Sequence, residues 1–179
     1  MDQYKLIFAG PVGVGKTTAV ASLCHGELLT TEASASDMTK LRKNTTTVAL
    51  DYGCIALPDG GRLHVYGTPG QERFDFMWEI LREGSLGLIL LIDNSRPAPF
   101  NDLHFFVKSF REFIARTALV VGVTRTDAHP LPDLSAYRQE LAGVGFAGSP
   151  VFEADARVRE STMMLVQALL YQLDPQLAG

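Results

Sequence analysis

Residues 10–18 read GPVGVGKTT and follow directly on the short apolar run LIFAG at residues 6–10. They match the pattern Gly, four residues, Gly-Lys-Thr at every required position. The apolar run is typical of a buried strand, and a loop of this kind between a strand and a helix turns backbone N–H groups inward around an anion. The sequence therefore predicts a nucleoside triphosphate site at the head of the first helix, with an ordinary glycine-rich turn as the alternative.

Each residue type in this loop suits a triphosphate. Glycines let the backbone approach the phosphates, the ammonium of Lys16 reaches the terminal ones, and the hydroxyl of Thr17 ligates Mg²⁺. The N-terminus of the helix adds the positive end of its dipole. We therefore expect a nucleotide to contact this loop and the first helical turn: Gly10, Val12, Gly13, Val14, Gly15, Lys16, Thr17 and Thr18.

Short apolar runs alternate with amphipathic segments along the rest of the chain. The runs predicted to be buried parallel strands are residues 6–10, 63–67, 86–93, 118–123 and 150–154. Residues 47–57, TVALDYGCIAL, alternate in polarity and meet the turn PDGG at 58–61, which predicts a hairpin with one antiparallel strand at the sheet edge. In NDLHFFVKSFREFI, the residues Leu103, Phe106, Val107, Phe110, Phe113 and Ile114 share one helical face, with Asn101 as the expected N-cap.

This alternation of strands and helices predicts an α/β fold with three layers, of the P-loop NTPase class. We expect a six-stranded, mostly parallel sheet with one antiparallel edge strand, and about five helices. No linker is long enough to divide the chain, so residues 1–179 are predicted to form a single domain.

Composition and charge argue against several kinds of partner. The net charge is −4 and the basic residues are scattered, so the positive surface of a nucleic-acid binder is missing. No stretch approaches the ~20 apolar residues of a membrane span, and neither chain end carries a lipidation motif. Cys24 and Cys54 are expected to be buried thiols in a reducing compartment. We therefore expect a cytoplasmic protein without a nucleic-acid partner or a membrane anchor of its own.

Two further segments indicate how a γ-phosphate would be sensed. GTPases use a threonine that ligates Mg²⁺ and a glycine whose N–H contacts the phosphate. In the stretch NTTTVALDY, Thr47 is our candidate ligand, and a β-branched residue that simply begins a strand is the alternative. The stretch TPGQERF resembles the switch II motif D-T-A-G-Q-E, in which Gly70 would offer its N–H and Gln71 would orient the attacking water.

The segments at the ends of the last two strands resemble a guanine site. VGVTRTDAH places Thr124, Arg125 and Asp127 where small GTPases carry N-K-x-D or T-K-x-D, although an ordinary loop is the alternative. A carboxylate at 127 would accept hydrogen bonds from the guanine N1–H and N2–H₂, donors that adenine lacks. FEADAR resembles the E-T-S-A-K segment, with the Ala156 N–H near the guanine oxygen and Arg157 in place of lysine.

Together these segments resemble the Ras-like small GTPases over nearly the whole chain. The proline in GTPGQ is similar to the prokaryotic MglA-like branch, which includes the GTPases of conservon-type operons. The resemblance implies GTP or GDP with Mg²⁺ as the cofactors, and Lys16, Thr47 and Gln71 as the residues that act in hydrolysis. It further implies a roadblock (MglB-like) protein as an activating or switch partner, and effector proteins that bind the switch regions.

Three departures from the Ras-like pattern affect the metal and the rate. Gly67 replaces the aspartate that normally holds a Mg²⁺-bound water, so we expect weaker metal binding or a substitute carboxylate, with Asp93 as the first candidate. The alternative role for Asp93 is that of a strand-end carboxylate that holds the amides of the phosphate loop. Val12 should crowd the transition state and slow hydrolysis. The long segment before Thr47 ends in basic residues, of which Arg42 is either an arginine finger in cis or part of a solvated charge cluster.

The resulting hypothesis is a cytoplasmic GTPase switch with slow intrinsic turnover that depends on a partner. GTP and Mg²⁺ would order residues 27–47 and 67–76, and hydrolysis would release them. Gly67 and Val12 leave open a nucleotide-locked pseudo-GTPase that serves as a scaffold. A small P-loop kinase is the remaining alternative, but that reading leaves VYGTPGQERF and TRTD unexplained.

Overall fold

The computed structural model describes residues 3–24, 29–32, 49–57, 60–69 and 75–174. Within these ranges the centre of the fold is a sheet of seven strands: β1 (Gln3–Ala9), β2 (Leu29–Glu32), β3 (Ala49–Ala56), β4 (Arg62–Gly67), β5 (Gly87–Asp93), β6 (Ala118–Thr124) and β7 (Val151–Ala154). Its helices are α1 (Lys16–Leu23), α2 (Asp75–Arg82), α3 (Pro99–Ser109), α4 (Arg111–Ile114), α5 (Leu134–Gly143) and α6 (Arg159–Leu173).

The strands lie in the order β2-β3-β4-β1-β5-β6-β7. The pairs from β4 to β7 are parallel, whereas β3 is antiparallel to both of its neighbours. Every residue of β5 and β6 is buried, as expected for parallel strands that are covered on both faces. The carboxyl ends of β1, β5 and β6 therefore meet at one edge of the sheet, where ligands of such folds bind.

Two apolar layers fill the space between the sheet and the helices. On one face α2, α3, α4 and α5 bury their side chains, including Trp78 and Phe106, against alternate residues of the central strands. On the other face α1 and α6 pack against the remaining alternate residues, for example Ile89 and Leu91 of β5. This arrangement of helix, sheet and helix confirms the predicted α/β architecture with three layers.

The six predicted strands are all present, and the sheet extends one strand further. Residues 29–32, LTTE, pair with the outer side of β3, so the predicted edge strand has another strand beyond it. This short polar tetrapeptide has neither the apolar run nor the alternation that predicts a strand. Thr47, by contrast, lies outside the described residues, as do Gly70 and Gln71.

The predicted helix over residues 101–114 forms as α3 followed by α4. The six residues assigned to its apolar face are all buried, which confirms the periodicity. The prediction that Asn101 is the N-cap is wrong, because the helix begins at Pro99 and its N-cap is Ala98. Proline is favoured at the first helical position, where the missing N–H would have no helical partner. None of the helices in the described ranges is long and apolar enough to cross a membrane.

Candidate functional site

The loop between β1 and α1 depends on three glycines with positive φ angles: Gly10 (148°), Gly13 (79°) and Gly15 (110°). Residues with a side chain rarely adopt such angles. At Gly10 a Cβ would also lie 2.3 Å from the carbonyl oxygen of Leu91, so the loop could not sit this close to β5 with any other residue. The backbone thus takes the tight course that the motif predicts.

Lys16 is the charged residue of this loop, and its side chain is buried. Its Nζ donates hydrogen bonds to the carbonyl oxygens of Gly10 and Pro11, each 2.8 Å away. Burial lowers the pKa of Lys16 from 10.5 to about 8, and the nearby carboxylate of Asp51 opposes this shift. An anion bound at the loop would favour the charged ammonium and raise that pKa again.

The side chain of Thr17 is hydrogen-bonded to Asp51, a residue for which the sequence predicted no role in the site. Its hydroxyl donates a hydrogen bond to Oδ2 of Asp51, 2.5 Å away, and this bond joins the first turn of α1 to β3. A hydroxyl and a carboxylate are both oxygen ligands of the kind that Mg²⁺ prefers. This pair is therefore the part of the described chain that could hold a metal ion beside the phosphates.

Asp51 occupies the space that an aspartate at position 67 would need. The two positions face each other in the β3/β4 register. A Cβ at Gly67 would lie 3.0 Å from Cβ and 3.1 Å from Oδ2 of Asp51. The chain therefore supplies one carboxylate at this point of the hairpin, from β3 and not from β4.

Asp93, our first candidate for the missing carboxylate, has other partners. Its Oδ1 accepts hydrogen bonds from the N–H and the hydroxyl of Ser95, at 2.9 and 2.6 Å. Its Oδ2 forms an ion pair with Arg125. The expectation that Asp93 replaces the switch II aspartate is therefore corrected: the carboxylate beside Thr17 belongs to Asp51.

Arg125 connects the loop after β6 to the phosphate loop. Its backbone is left-handed, with a φ of 61°, which is uncommon for a residue with a long side chain. Besides the ion pair with Asp93, its Nη2 donates to the carbonyl oxygen of Gly13 at 3.2 Å. Arg125 thus holds together the two loops that would contact opposite ends of a nucleotide.

A pocket of about 780 Å³ runs between these loops, a size that suits a small ligand. Among its lining residues are the following predicted contacts: Gly13, Val14, Gly15, Thr18, Thr124, Arg125, Asp127, Ala156 and Arg157. A Cβ at Gly15 would lie 3.0 Å from Cβ of Ala156, so the phosphate loop and the segment after β7 are in close contact. The structure therefore brings the predicted phosphate and base segments into one cavity.

An ion pair stands at the base end of this pocket. Asp155 accepts hydrogen bonds from the backbone N–H, Nε and Nη2 of Arg157, between 2.7 and 2.9 Å. These bonds lower the pKa of Asp155 to about 2. The pKa of Arg157 is raised, mainly by Asp155 and also by the charge of Asp127. Arg157 is therefore held where its positive charge interacts with the carboxylates of Asp155 and Asp127.

The sequence motifs predicted which loops form the site, but they did not predict some of the side-chain contacts within it. Counting outward from the turn PDGG would not have identified Asp51, because it places residue 51 opposite 68, whereas the observed register, with Ala56 opposite Arg62, places Asp51 opposite Gly67. The Asp93–Arg125 and Asp155–Arg157 pairs have no signal in the sequence either. Thr47, Gly70 and Gln71 lie outside the described residues, so their roles stay predictions.

The fold and this loop define the class: a nucleotide-binding protein with a phosphate-binding loop on a three-layer α/β fold. A comparison with protein families is more specific. The family described as conserved hypothetical ATP binding protein matches residues 25–140, more than half of the chain, so the protein belongs to that family. The matched region includes Asp51 and Asp127 and lies between the phosphate loop and the FEADAR segment.

Individual relatives point to the Ras-like superfamily. An uncharacterized protein of Methanocaldococcus jannaschii is 32% identical over 95 residues, 53% of this chain and 54% of its own. The Ras-related protein Rab-5B of Plasmodium falciparum is 25% identical over 121 residues, 66% of this chain and 54% of its own. The Ras-related protein Rab-8A of Gallus gallus is 23% identical over 185 residues, 98% of this chain and 83% of its own. The matches to the first two relatives span about half of their length.

Proposed function

We propose that this protein is a single-domain GTP-binding switch that hydrolyses GTP to GDP. One observation carries the proposal: a single pocket is lined by Gly13 of the phosphate loop and by Asp127, and Arg125 in the same pocket donates a hydrogen bond to the carbonyl of Gly13. A carboxylate accepts hydrogen bonds and donates none, so it matches the N1–H and N2–H₂ of guanine and opposes the N1 lone pair of adenine. The family description mentions ATP, which makes the choice of base the first property to measure.

Asp127→Asn provides a sharp test of base recognition. The wild type should bind GDP at least about 100-fold more tightly than ADP, because a wrong base leaves buried donors or acceptors unpaired. An asparagine offers one donor and one acceptor, so the variant should prefer xanthosine diphosphate, which has an oxygen at position 2. Glu153→Gln, in the same pocket, is the matched control and should leave the preference for guanine intact. Tighter binding of ADP than of GDP by the wild type would contradict the proposal.

Mg²⁺ would be held by Thr17 and Asp51 together with the phosphates, and by Thr47 as the sequence predicts. The observations that fit are the Thr17–Asp51 hydrogen bond and the tight contact that a side chain at position 67 would make with Asp51. The described ranges contain no group of three or more His, Cys, Asp or Glu residues arranged for a metal. This agrees with a Mg²⁺ ion that depends on substrate phosphates, where it would neutralise developing charge.

The side chain of Val12 supports the proposal of slow hydrolysis. Val12 is 59% exposed, although valine is apolar, and it stands on the phosphate loop between Pro11 and Gly13. A branched side chain at this position would restrict the approach of water and of any activating group. Gln71 would orient that water, so Gln71→Leu should slow single-turnover hydrolysis, whereas an unchanged rate would remove this role from Gln71.

The MglA-like branch and its partners remain part of the proposal. In support, the sequence carries the GTPGQ stretch, in which Gly67 and Pro69 depart from the D-T-A-G-Q pattern. We propose a cytoplasmic protein that a roadblock (MglB-like) protein activates or switches, and whose switch regions bind effectors. Any recruitment to a membrane would depend on these partners.

A nucleotide-locked scaffold is the second candidate, since the exposed Val12 also suits a protein that binds GTP and does not hydrolyse it. Single-turnover hydrolysis of bound GTP, measured with and without a roadblock-type protein, separates the two functions. A switch should convert bound GTP to GDP slowly alone and faster with the partner. Unchanged GTP under both conditions, with tight binding, would favour the scaffold.

A further inference from the structure

Asn94 is a polar residue in the interior of the protein, directly after the last residue of β5. It is 3% exposed. Its backbone N–H donates a hydrogen bond to the carbonyl oxygen of Thr124, 3.1 Å away, so the ends of β5 and β6 are joined at this point. A buried side-chain amide is costly unless its donors and its acceptor have partners. The partners of Asn94 therefore indicate which parts of the chain this residue holds together.

The side-chain amide of Asn94 has three partners in the segment that follows β6. Its Nδ2 donates hydrogen bonds to the carbonyl oxygens of His129 and Pro132, at 2.5 and 3.1 Å. Its Oδ1 accepts one from the hydroxyl of Tyr137, 2.7 Å away. A backbone carbonyl can only accept, so the amide satisfies both carbonyls in one orientation alone. Asn94 thus attaches the end of β5 to residues 129–137 at three points.

Tyr137 keeps the amide in this orientation. It lies on α5, is completely buried, and its ring meets that of Phe100 edge to face, with centroids 5.0 Å apart. Burial raises the pKa of Tyr137 above its usual value of 10, so the hydroxyl stays protonated and can donate. Because the core fixes this ring, its hydroxyl gives Oδ1 of Asn94 a stationary donor.

The segment that Asn94 holds includes the turn that carries Asp127. The N–H of His129 donates to the carbonyl oxygen of Arg125 at 2.9 Å, which closes a five-residue turn with Asp127 at its centre. The ion pair of Arg125 attaches one end of this turn to Asp93. The carbonyl of His129 attaches the other end to Asn94. Asp127 itself is exposed and lines the pocket, so its position depends on the two ends of the turn and not on packing in the core.

We propose that Asn94 is a positioning residue for recognition of the base. By holding His129, it keeps the turn around Asp127 in one conformation before a nucleotide binds. Without this bond the turn would have to be ordered on binding, and the entropy lost would reduce the affinity for guanine. The inference rests on the proposed GTP-binding function and adds a buried residue that sets the strength of guanine recognition.

The test is the ratio of the dissociation constants for ADP and GDP, measured by calorimetry on the full chain with Mg²⁺. Asn94→Leu introduces a side chain of similar volume and removes both donors. We expect the ratio to fall about tenfold, the size of one or two hydrogen bonds, because GDP binds more weakly. The affinity for ADP should stay within about twofold, since adenine lacks the donors that Asp127 accepts. Phe100→Leu is the control: it disturbs packing against Tyr137, keeps the amide of Asn94, and should keep the wild-type ratio.

A double-mutant cycle separates positioning from a general contribution to stability. If Asn94 acts through Asp127, then Asn94→Leu should change GDP affinity less than about twofold in a chain that already carries Asp127→Ala. A residue that only stabilises the fold would lower GDP affinity by the same factor in both backgrounds, and that result would overturn the inference.

Tyr137→Phe provides the test if Asn94→Leu does not fold. It keeps the ring and removes only the hydroxyl that orients the amide, so the ratio should fall about two- to threefold. An unchanged ratio in Asn94→Leu or, where that chain does not fold, in Tyr137→Phe overturns the inference and leaves the proposed function standing. A wild type that binds ADP more tightly than GDP, or that binds neither, overturns both.

Discussion

The phosphate end and the base end of the pocket are held in place by different parts of the chain. At the phosphate end, the backbone holds the loop in place: three glycines adopt positive φ angles, and two backbone carbonyl groups accept hydrogen bonds from Lys16. At the base end, the loops are held by side-chain ion pairs, Asp93 with Arg125 and Asp155 with Arg157. The cation of the first end, Lys16, is buried, whereas those of the second end, Arg125 and Arg157, are exposed, so loss of the lysine should weaken nucleotide binding more than loss of either arginine.

Lys16→Ala should have the largest effect, because it removes the buried ammonium that faces the phosphates. We expect the affinity for GDP to fall about 100-fold, the upper range for hydrogen bonds to charged groups. Calorimetry measures this loss, with the exposed Lys108→Ala as a control that should bind as the wild type does. A loss below fivefold would show that the backbone alone suffices at this end.

The pH dependence should come from the same ammonium. The free chain has a Lys16 pKa of about 8, and bound phosphate should raise it, so affinity is constant below pH 8 and declines as the pH rises. We expect a decrease of about fivefold between pH 8 and pH 9, as the protonated fraction of the free chain falls from one half to about a tenth. Because the unfolded chain keeps this proton up to its ordinary pKa of 10.5, the stability of the free protein should increase over the same range. The Lys16→Arg variant stays charged over this range, so neither its nucleotide affinity nor its stability should change with pH in this way.

Asp51 tests how the hairpin contributes to the phosphate end. Asp51→Ala should raise the Mg²⁺ concentration needed for tight GTPγS binding by about five- to tenfold, since it removes one carboxylate near the metal. Gly67→Asp alone should destabilise the protein by about 1–3 kcal/mol, because its Cβ would crowd Asp51. The double variant Asp51→Ala/Gly67→Asp places the carboxylate on β4 instead. If the double variant needs as much Mg²⁺ for tight GTPγS binding as Asp51→Ala does, a carboxylate on β4 cannot replace the one on β3.

The smallest effect is expected at the base end. Arg125→Ala removes a half-exposed arginine and its hydrogen bond to Gly13, while Asp93 keeps its bonds to Ser95, so GDP affinity should fall only about threefold. The loss should shrink further at high salt, because screening weakens exposed charge pairs. If Arg125→Ala lowers GDP affinity as much as Lys16→Ala does, the exposed arginine contributes as much to binding as the buried lysine, and the contrast between the two ends is wrong.

The contrast between the two ends also explains what the sequence could predict. The glycine-lysine pattern and the apolar strands follow from local rules, and the structure agrees with them at Gly10–Thr17 and along β5 and β6. Asp51 was not predicted as a site residue, because the carboxyl ends of parallel strands pointed to Asp93 and the hairpin register is offset by one residue from symmetric pairing about the turn PDGG. Ion pairs such as Arg125–Asp93 join residues far apart in sequence, and no local pattern encodes their partners.

The pairing of β2 with β3 has a consequence for how this chain can vary. Glu32 faces Ala49 in the register, so residues 33–48 connect two points that the sheet already holds side by side. The entropy of closing such a loop grows only with the logarithm of its length, so each doubling adds about 0.6 kcal/mol. Added length between β2 and β3 therefore costs little in folding free energy. A lineage could remodel this segment for new partners and keep its nucleotide chemistry.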